Sequence, residues 1–305
     1  MRLICLHNVI DGPADAFDEK CSRISVAEFE AFLDAVSEEF NLVSYSDYAH
    51  LLAAGEGDER TVALSFDDGF RGVWAHARPA LARRGIDAIA FINPPFLGNP
   101  PGRIFHFLEL EIAFRLSRRT RLELTYASVP FDLTTEEARV TAMRRVKKLL
   151  KTRPEVEREA GHAQVLEGLG VARGELVDFA QGDPRFRIME TGEVRGLRDA
   201  GWVIGSHGLS HRTLSMLSPA DMRADIEGAA RAFEDLFGWR DLPFAYPYGD
   251  VVHVGQNAPR AVADAGHPVA FTTVPGKSDL ALGRHLLPRT DYKQFLREAQ
   301  LLGAG

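Results

Sequence analysis

Thr61-Val62-Ala63-Leu64-Ser65-Phe66-Asp67-Asp68-Gly69 decides how the rest of the chain is read. Six mostly apolar residues, bounded by turn residues, have the length and composition of a buried strand. The run then stops at two carboxylates and a glycine. Adjacent carboxylates repel each other unless a proton or cation intervenes. Gly69 allows the sharp turn that would aim both inward. The plainer reading is an N-cap and turn leading into a helix over 70–83.

Working outward, the same kind of strand recurs. Short apolar runs at 3–6, 42–44, 88–92, 202–205, 243–246, 269–272 and 286–287 alternate with helical patterns, about seven strands in all. Ser25 and Glu28 form a capping box before apolar positions Phe29, Phe32, Leu33 and Val36 at helical spacing. Ser218-Pro219 starts another helix. Alternating strands and helices imply an α/β fold with a parallel sheet, open or closed. Between about 96 and 185 the alternation is lost. Residues 107–118 read as a helix, and a capping box at Thr134 and Glu137 opens another that ends in Lys147-Lys148-Leu149-Leu150-Lys151. That basic end suits the negative pole of a helix dipole. The stretch 96–185 is expected to be a mostly helical insertion in a domain formed by 1–95 and 186–305.

The bulk numbers narrow the function. The chain has 305 residues, 45% apolar and 26% charged, as expected of a globular protein with a large core. A net charge of −7 gives no electrostatic reason for binding DNA or RNA. No stretch approaches the roughly 20 apolar residues that span a bilayer. The first apolar run is too short for a secretory leader, so a cytoplasmic protein is expected. In that reducing setting Cys5 and Cys21 are not expected to pair, and Cys5 is read as a core side chain.

The strand ends collect the polar residues. His7, Asp67-Asp68, His207 and Tyr246-Pro247-Tyr248 each follow a strand, and in parallel α/β folds those ends form the active-site face. Within Ser206-His207-Gly208-Leu209-Ser210-His211 the two histidines meet if the segment is helical, or across a turn. Two neutral imidazoles and one carboxylate are a catalytic zinc set, and the same donors suit iron. Singly, such a pair is more often a cap and a surface residue. Tyr246-Pro247-Tyr248-Gly249 reads as a plain turn, or as a rigid loop offering a backbone N–H to an oxyanion.

In this order the segments resemble the polysaccharide deacetylase family. Ser65-Phe66-Asp67-Asp68-Gly69 is similar to its first motif, His207 to His211 to its second, and Phe244-Ala245-Tyr246-Pro247-Tyr248-Gly249 to its third. Leu6-His7-Asn8-Val9 resembles the start of exopolysaccharide-type members. The resemblance implies a distorted (β/α) barrel of about seven strands. It implies one divalent metal ion, zinc first with cobalt, nickel or iron as alternatives, held by Asp68, His207 and His211. It implies Asp67 as general base and the Tyr248 N–H as oxyanion donor. The family's third-motif arginine is replaced by Ala245, and Arg289 is the candidate to orient the base instead. A C-terminal acid motif is not evident, and His285 precedes the last strand, which leaves His7 as the candidate acid.

The expected reaction is removal of an N-acetyl group from an amino sugar, or from a polysaccharide or O-antigen precursor that is nucleotide- or lipid-linked. The insertion is expected to cover the site, with Arg103, Phe105 and His106 toward substrate. Two alternatives stand beside it: a metal amidohydrolase acting on a non-sugar amide, and a non-catalytic sugar-binding barrel.

Overall fold

The structure is a computed structural model that describes residues 1–18, 23–100 and 102–300. Cys21 lies outside the described residues; Cys5 is a buried, free thiol. In chain order, β1 (Arg2–Leu6) leads into a small parallel pair, β2 (Asn8–Ile10) and β3 (Arg23–Ser25). Then come β4 (Asn41–Leu42), β5 (Thr61–Phe66) and β6 (Ile89–Ile92). A hairpin of β7 (Arg121–Leu122) and β8 (Phe131–Asp132) precedes β9 (Val203–Ser206), β10 (Phe244–Ala245), β11 (Ala270–Phe271) and β12 (Thr290–Asp291). Seven parallel strands, in the order β11-β10-β9-β6-β5-β1-β12, form a half-barrel. β4 pairs with the start of β5, on the side where β6 takes its end.

The last strand differs from expectation. The run at 286–287 contributes one bridge, Leu287 to Phe271, and the paired strand follows at Thr290. Pro288 lies between them and has no N–H to give to a ladder. The segment therefore touches β11 through Leu287 and β1 through Thr290, the two sides of the opening.

Helices fill the connections. α1 (Val26–Glu39) starts at the Ser25–Glu28 capping box, and α2 (Tyr45–Ala54) is capped by Ser44, which cuts the strand expected over 42–44 short. The helix expected over 70–83 is not one regular helix. Val73–Ala77 is π-helical and only α3 (Arg78–Ala82) is α-helical. Pro79 supplies no N–H and would crowd the carbonyl four residues back, which opens the preceding turn. α4 (His106–Leu116), α5 (Glu136–Lys151), α6 (Glu155–Leu169) and α7 (Arg173–Gly182) lie between β6 and β9. They share an apolar cluster that includes Leu108, Ile112, Phe114, Met143, Val146 and Val165. Thr135, not Thr134, caps α5, because Thr134 turns to Asp132. α8 (Thr191–Asp199), α9 (Pro219–Phe237), α10 (Val251–Val254), α11 (Ala258–Asp264) and α12 (Tyr292–Glu298) complete the fold.

Strand alternation sorts the core. Ile4, Leu6, Val62, Leu64, Phe66, Ala90 and Ile92 pack against helices such as α1 and α8. Leu3, Ala63, Ile89, Phe91, Ala245 and Phe271 face the concave side with Tyr45 and Tyr48 of α2. Side chains alternate with a period of two. The concave parity therefore runs on from Cys5 to His7, from Ser65 to Asp67, from Phe91 to Asn93 and from Gly205 to His207.

Candidate active site

That parity brings three strand ends, those of β1, β5 and β9, to one place. Cys5, His7, Asp67, Asp68, His207 and His211 all line one cavity of about 850 Å³. Asp67 and Asp68, neighbours in sequence, part company there. Asp67 follows the strand inward and meets Arg289, whose Nη1 donates to Oδ1 at 2.6 Å and Nη2 to Oδ2 at 2.8 Å. Arg289 is fully buried and is fixed by Ser65 Oγ (3.2 Å) and the Thr272 carbonyl (3.1 Å). A forked guanidinium on a carboxylate sets both position and plane. Burial alone would raise the Asp67 pKa. The Arg289 charge, and then His207, outweigh burial and hold the carboxyl below the usual carboxylate range. Arg289 is held further toward its charged form by Asp67, against its own burial.

Asp68 turns the other way. Its φ of 70° is left-handed, followed by Gly69 at 73°, so it does not act as an ordinary helix N-cap. Its Oδ1 is buried and accepts no hydrogen bond of good geometry. His211 Nε2 stands 3.1 Å from it and His207 Nε2 3.6 Å. His207 Nδ1 lies 2.7 Å from the Ala245 carbonyl. A carbonyl only accepts, so Nδ1 carries the hydrogen and Nε2 presents its lone pair to Asp68. Burial pushes the His207 pKa down to about 4, the neutral form that ligates metals. Ligand atoms of Asp68, His207 and His211 lie within 4.8 Å of one another. A buried carboxylate oxygen with no donor, facing imidazole nitrogens, fits a divalent cation.

The loop carrying the histidines is held from two sides. Asn93 Nδ2 donates to the carbonyls of His207 (2.5 Å) and Gly208 (2.9 Å). Asp225 of α9 accepts from the N–H groups of Leu209 (3.0 Å) and Ser210 (3.1 Å) and from the Ser210 hydroxyl. Gly208 has φ 76°, and a Cβ there would come 2.8 Å from Asp225 Oδ2. The two histidines thus meet across a turn, not on a helix. The sequence reading missed both supports. Asn93 sits at a strand end like the residues that were noticed. Asp225 interrupts the apolar stripe Met222, Ile226, Ala229, which was the signal for it.

His211 (φ 54°) and Tyr248 (φ 64°) share the left-handed backbone of Asp68. Such conformations cost energy and persist where surrounding structure imposes them. The Tyr248 loop is tied by Thr273, whose Oγ1 donates to the Tyr248 carbonyl at 2.7 Å and whose N–H donates to Gly249 at 2.8 Å. His7 lies beside Asp67, with a buried Nδ1 that has no hydrogen-bond partner. His285 points elsewhere, with its Nε2 on the His267 carbonyl. The helical segment reaches the cavity through His106 and Phe107. Phe105 is instead buried and stacked on Phe96, and Arg103 is exposed outside the lining.

Comparison with known proteins agrees with this geometry. The polysaccharide deacetylase family model matches residues 177–270, which include the His207–His211 and Tyr246–Gly249 segments. No curated protein matches the chain significantly in sequence. Among solved structures, the deacetylase PplD of Streptococcus pyogenes, in complex with acetate, is similar with a TM-score of 0.58 and 13% identity, over 97% of this chain and 96% of that one. IcaB of Ammonifex degensii gives 0.57 and 16%, over 98% and 96%. A de-N-acetylase of Aggregatibacter actinomycetemcomitans gives 0.56 and 14%, over 95% and 94%. The polysaccharide deacetylase model thus matches the part of the chain that carries the His207–His211 and Tyr246–Gly249 segments, and the fold as a whole is shared with these deacetylases.

Proposed function

We propose that this chain hydrolyses the N-acetyl amide of an amino sugar, as a metal-dependent de-N-acetylase. The observation that carries the reading is the split between two adjacent carboxylates. Asp68 faces two imidazoles with an unpaired oxygen, and Asp67 beside it is held ionised by Arg289. The family match and the deacetylases that share the fold support it. Asp68, His207 and His211 would hold the ion. A divalent ion supplies an acidified water and a polarised carbonyl.

The chain's own residues do the rest. Asp67, outside the ligand set, takes the proton of the attacking water. Arg289 keeps its carboxylate charged and aimed. As the water oxygen bonds to the carbonyl carbon, negative charge grows on the carbonyl oxygen, and the Tyr248 N–H donates to it. His7 gives a proton to the nitrogen as the C–N bond breaks, so the products are acetate and a free amine. Without that proton the amine is a poor leaving group. The cavity volume and its aromatic side chains, Phe107 and Tyr248, suit a sugar-sized substrate or a larger one.

The test is acetate release from a panel of N-acetyl amino sugars by the metal-loaded chain. Release from at least one sugar, and none from simple acetamides, is expected. Turnover of a non-sugar amide alone would replace the sugar with another acyl acceptor.

A further inference from the structure

The helical wall of the cavity carries two histidines that the proposed chemistry does not use. His106 opens α4 and His162 lies in α6; both line the cavity, with ring centres 4.9 Å apart. Each has one ring nitrogen held within the protein, and that fixes its tautomer. Arg158 Nη1 stands 2.8 Å from His106 Nδ1. A guanidinium only donates, so Nδ1 accepts and the hydrogen sits on Nε2. His162 Nε2 stands 3.3 Å from the His106 carbonyl and 3.3 Å from the Glu109 carboxylate. A carbonyl only accepts, so His162 Nε2 carries the hydrogen and Nδ1 keeps its lone pair. The two rings thus hold opposite tautomers: the open nitrogen of His106 donates and that of His162 accepts. Neither open nitrogen has a partner among the described residues, and neither is sealed from solvent.

The pair is held from behind. Arg158 donates through Nε and Nη2 to Glu155, at 2.9 and 2.6 Å. Glu155 also pairs at 2.9 Å with Arg212, the residue after His211. Arg173 pairs with the other oxygen of Glu109. Phe107, the residue after His106, puts its ring 5.0 Å from the His211 ring. The two histidines are therefore set in place beside the strand-end site. Burial pushes the pKa of His106 down to about 3 and that of His162 down to about 4, so both rings are neutral at neutral pH.

We infer that His106 and His162 read a hydroxyl of the sugar ring that bears the acetamido group: His106 Nε2 donates to the hydroxyl oxygen and His162 Nδ1 accepts the hydroxyl hydrogen. The inference rests on the amino-sugar reading of the cavity. A carboxylate, which only accepts, would leave His162 Nδ1 unmatched. A trans amide carries its N–H and its carbonyl on opposite edges. A hydroxyl donates and accepts through one oxygen, and so suits a donor beside an acceptor. An analogue without that hydroxyl leaves both nitrogens without a partner, which is how a polar site rejects it.

The experiment measures kcat and KM for acetate release by the zinc-loaded chain. Its substrates are N-acetylglucosamine and N-acetylgalactosamine, and their monodeoxy analogues with one ring hydroxyl removed at a time. With the wild type, loss of one particular hydroxyl should lower kcat/KM about tenfold or more, mainly through KM, because the contact is made before and during reaction. In His106→Phe the parent sugar should fall by a similar factor, and the penalty for that deoxy position should shrink to about twofold or less. His106→Gln keeps an N–H to donate, and it loses the same contact with Arg158 as the Phe variant does. It should recover most of the loss, which a merely structural role would not do. His162→Phe should remove the penalty at the same position. In parallel, the same sugars are titrated calorimetrically into metal-free wild type and His106→Phe, and the dissociation constants should follow the same order. A deoxy penalty that survives in both Phe variants, or no penalty in the wild type, would overturn the pair and leave the deacetylase. Hydroxyl-dependent sugar binding that His106→Phe abolishes, with no acetate from any sugar, would keep the pair and overturn the amide-hydrolase reading. Neither binding nor acetate release with any of these sugars would overturn both.

Discussion

At the strand ends, polar groups are buried and tied by several partners; on α5, Arg144 and Lys148 stand exposed at the cavity rim. Arg289 has four hydrogen bonds, His207 leans on the Ala245 carbonyl, and the histidine loop is clamped by Asn93 and Asp225. The difference marks the strand ends as the place where positions are fixed. Reacting atoms need positions fixed to within fractions of an ångström. Even Asp67 and Asp68 show the contrast in miniature, one locked by a guanidinium and one with a buried oxygen facing two imidazoles.

The largest effects should come from breaking the open set. Asp68→Ala, His207→Ala and His211→Ala should each lose bound metal and about 10⁴-fold or more in turnover. Metal analysis of the purified variants checks this, and metal retained in all three would end the ligand assignment. Asp67→Asn should separate the two carboxylates. Metal stays while kcat falls about 10²–10⁴-fold, and a joint loss would mean that Asp67 also ligates. Arg289→Met should act through its partner. It leaves Asp67 buried and unpaired, which lowers unfolding stability by about 3–5 kcal/mol and cuts kcat more than it raises KM. Denaturant titration with paired kinetics reads both. His7→Ala should lower kcat about 100-fold with an unchanged melting temperature. Near-normal turnover would move the acid to another cavity group.

The smallest effect lies in the helical wall. Burial, with Arg158 next, pushes His106 down to about 3, and Arg158 Nη1 donates to its Nδ1 at 2.8 Å. The folded state thus prefers neutral His106, and the unfolded chain takes up a proton below about 6.5. Stability is therefore present above that pH and is lost as pH falls toward 3. Unfolding free energy should drop by about 1–2 kcal/mol between pH 7.5 and 5 on this account, and less in His106→Gln. An equal drop in the variant would place the titration elsewhere.

The site was legible where it follows a strand. Period-two alternation carries the concave side of β1, β5 and β9 into His7, Asp67 and His207, so strand ends alone gathered segments that line one cavity. What escaped the sequence depends on distance in the chain. Asp225 reaches the histidine loop from mid-helix; its place on the apolar stripe marks it as inward-facing, but nothing local says which loop it meets. Asn93 looked like a turn residue. Arg289 was singled out only by chemical type, since no spacing connects it to Asp67. The end of α5 was read as dipole compensation, because one helix does not show which cavity its face lines. The π-helical turn before Pro79 and the late final strand after Pro288 were missed for one reason. A proline shifts a boundary in ways that apolar periodicity does not record.

The most direct measurement is metal stripping and restoration with acetate as the readout. The chain is treated with chelator, assayed on the best N-acetyl amino sugar, and titrated with zinc, cobalt and nickel in turn. Acetate release should vanish with the metal and return at about one ion per chain, and the same titration of Asp68→Ala should restore nothing. Undiminished release from metal-free protein, or full restoration of Asp68→Ala, would contradict a metal held by Asp68, His207 and His211.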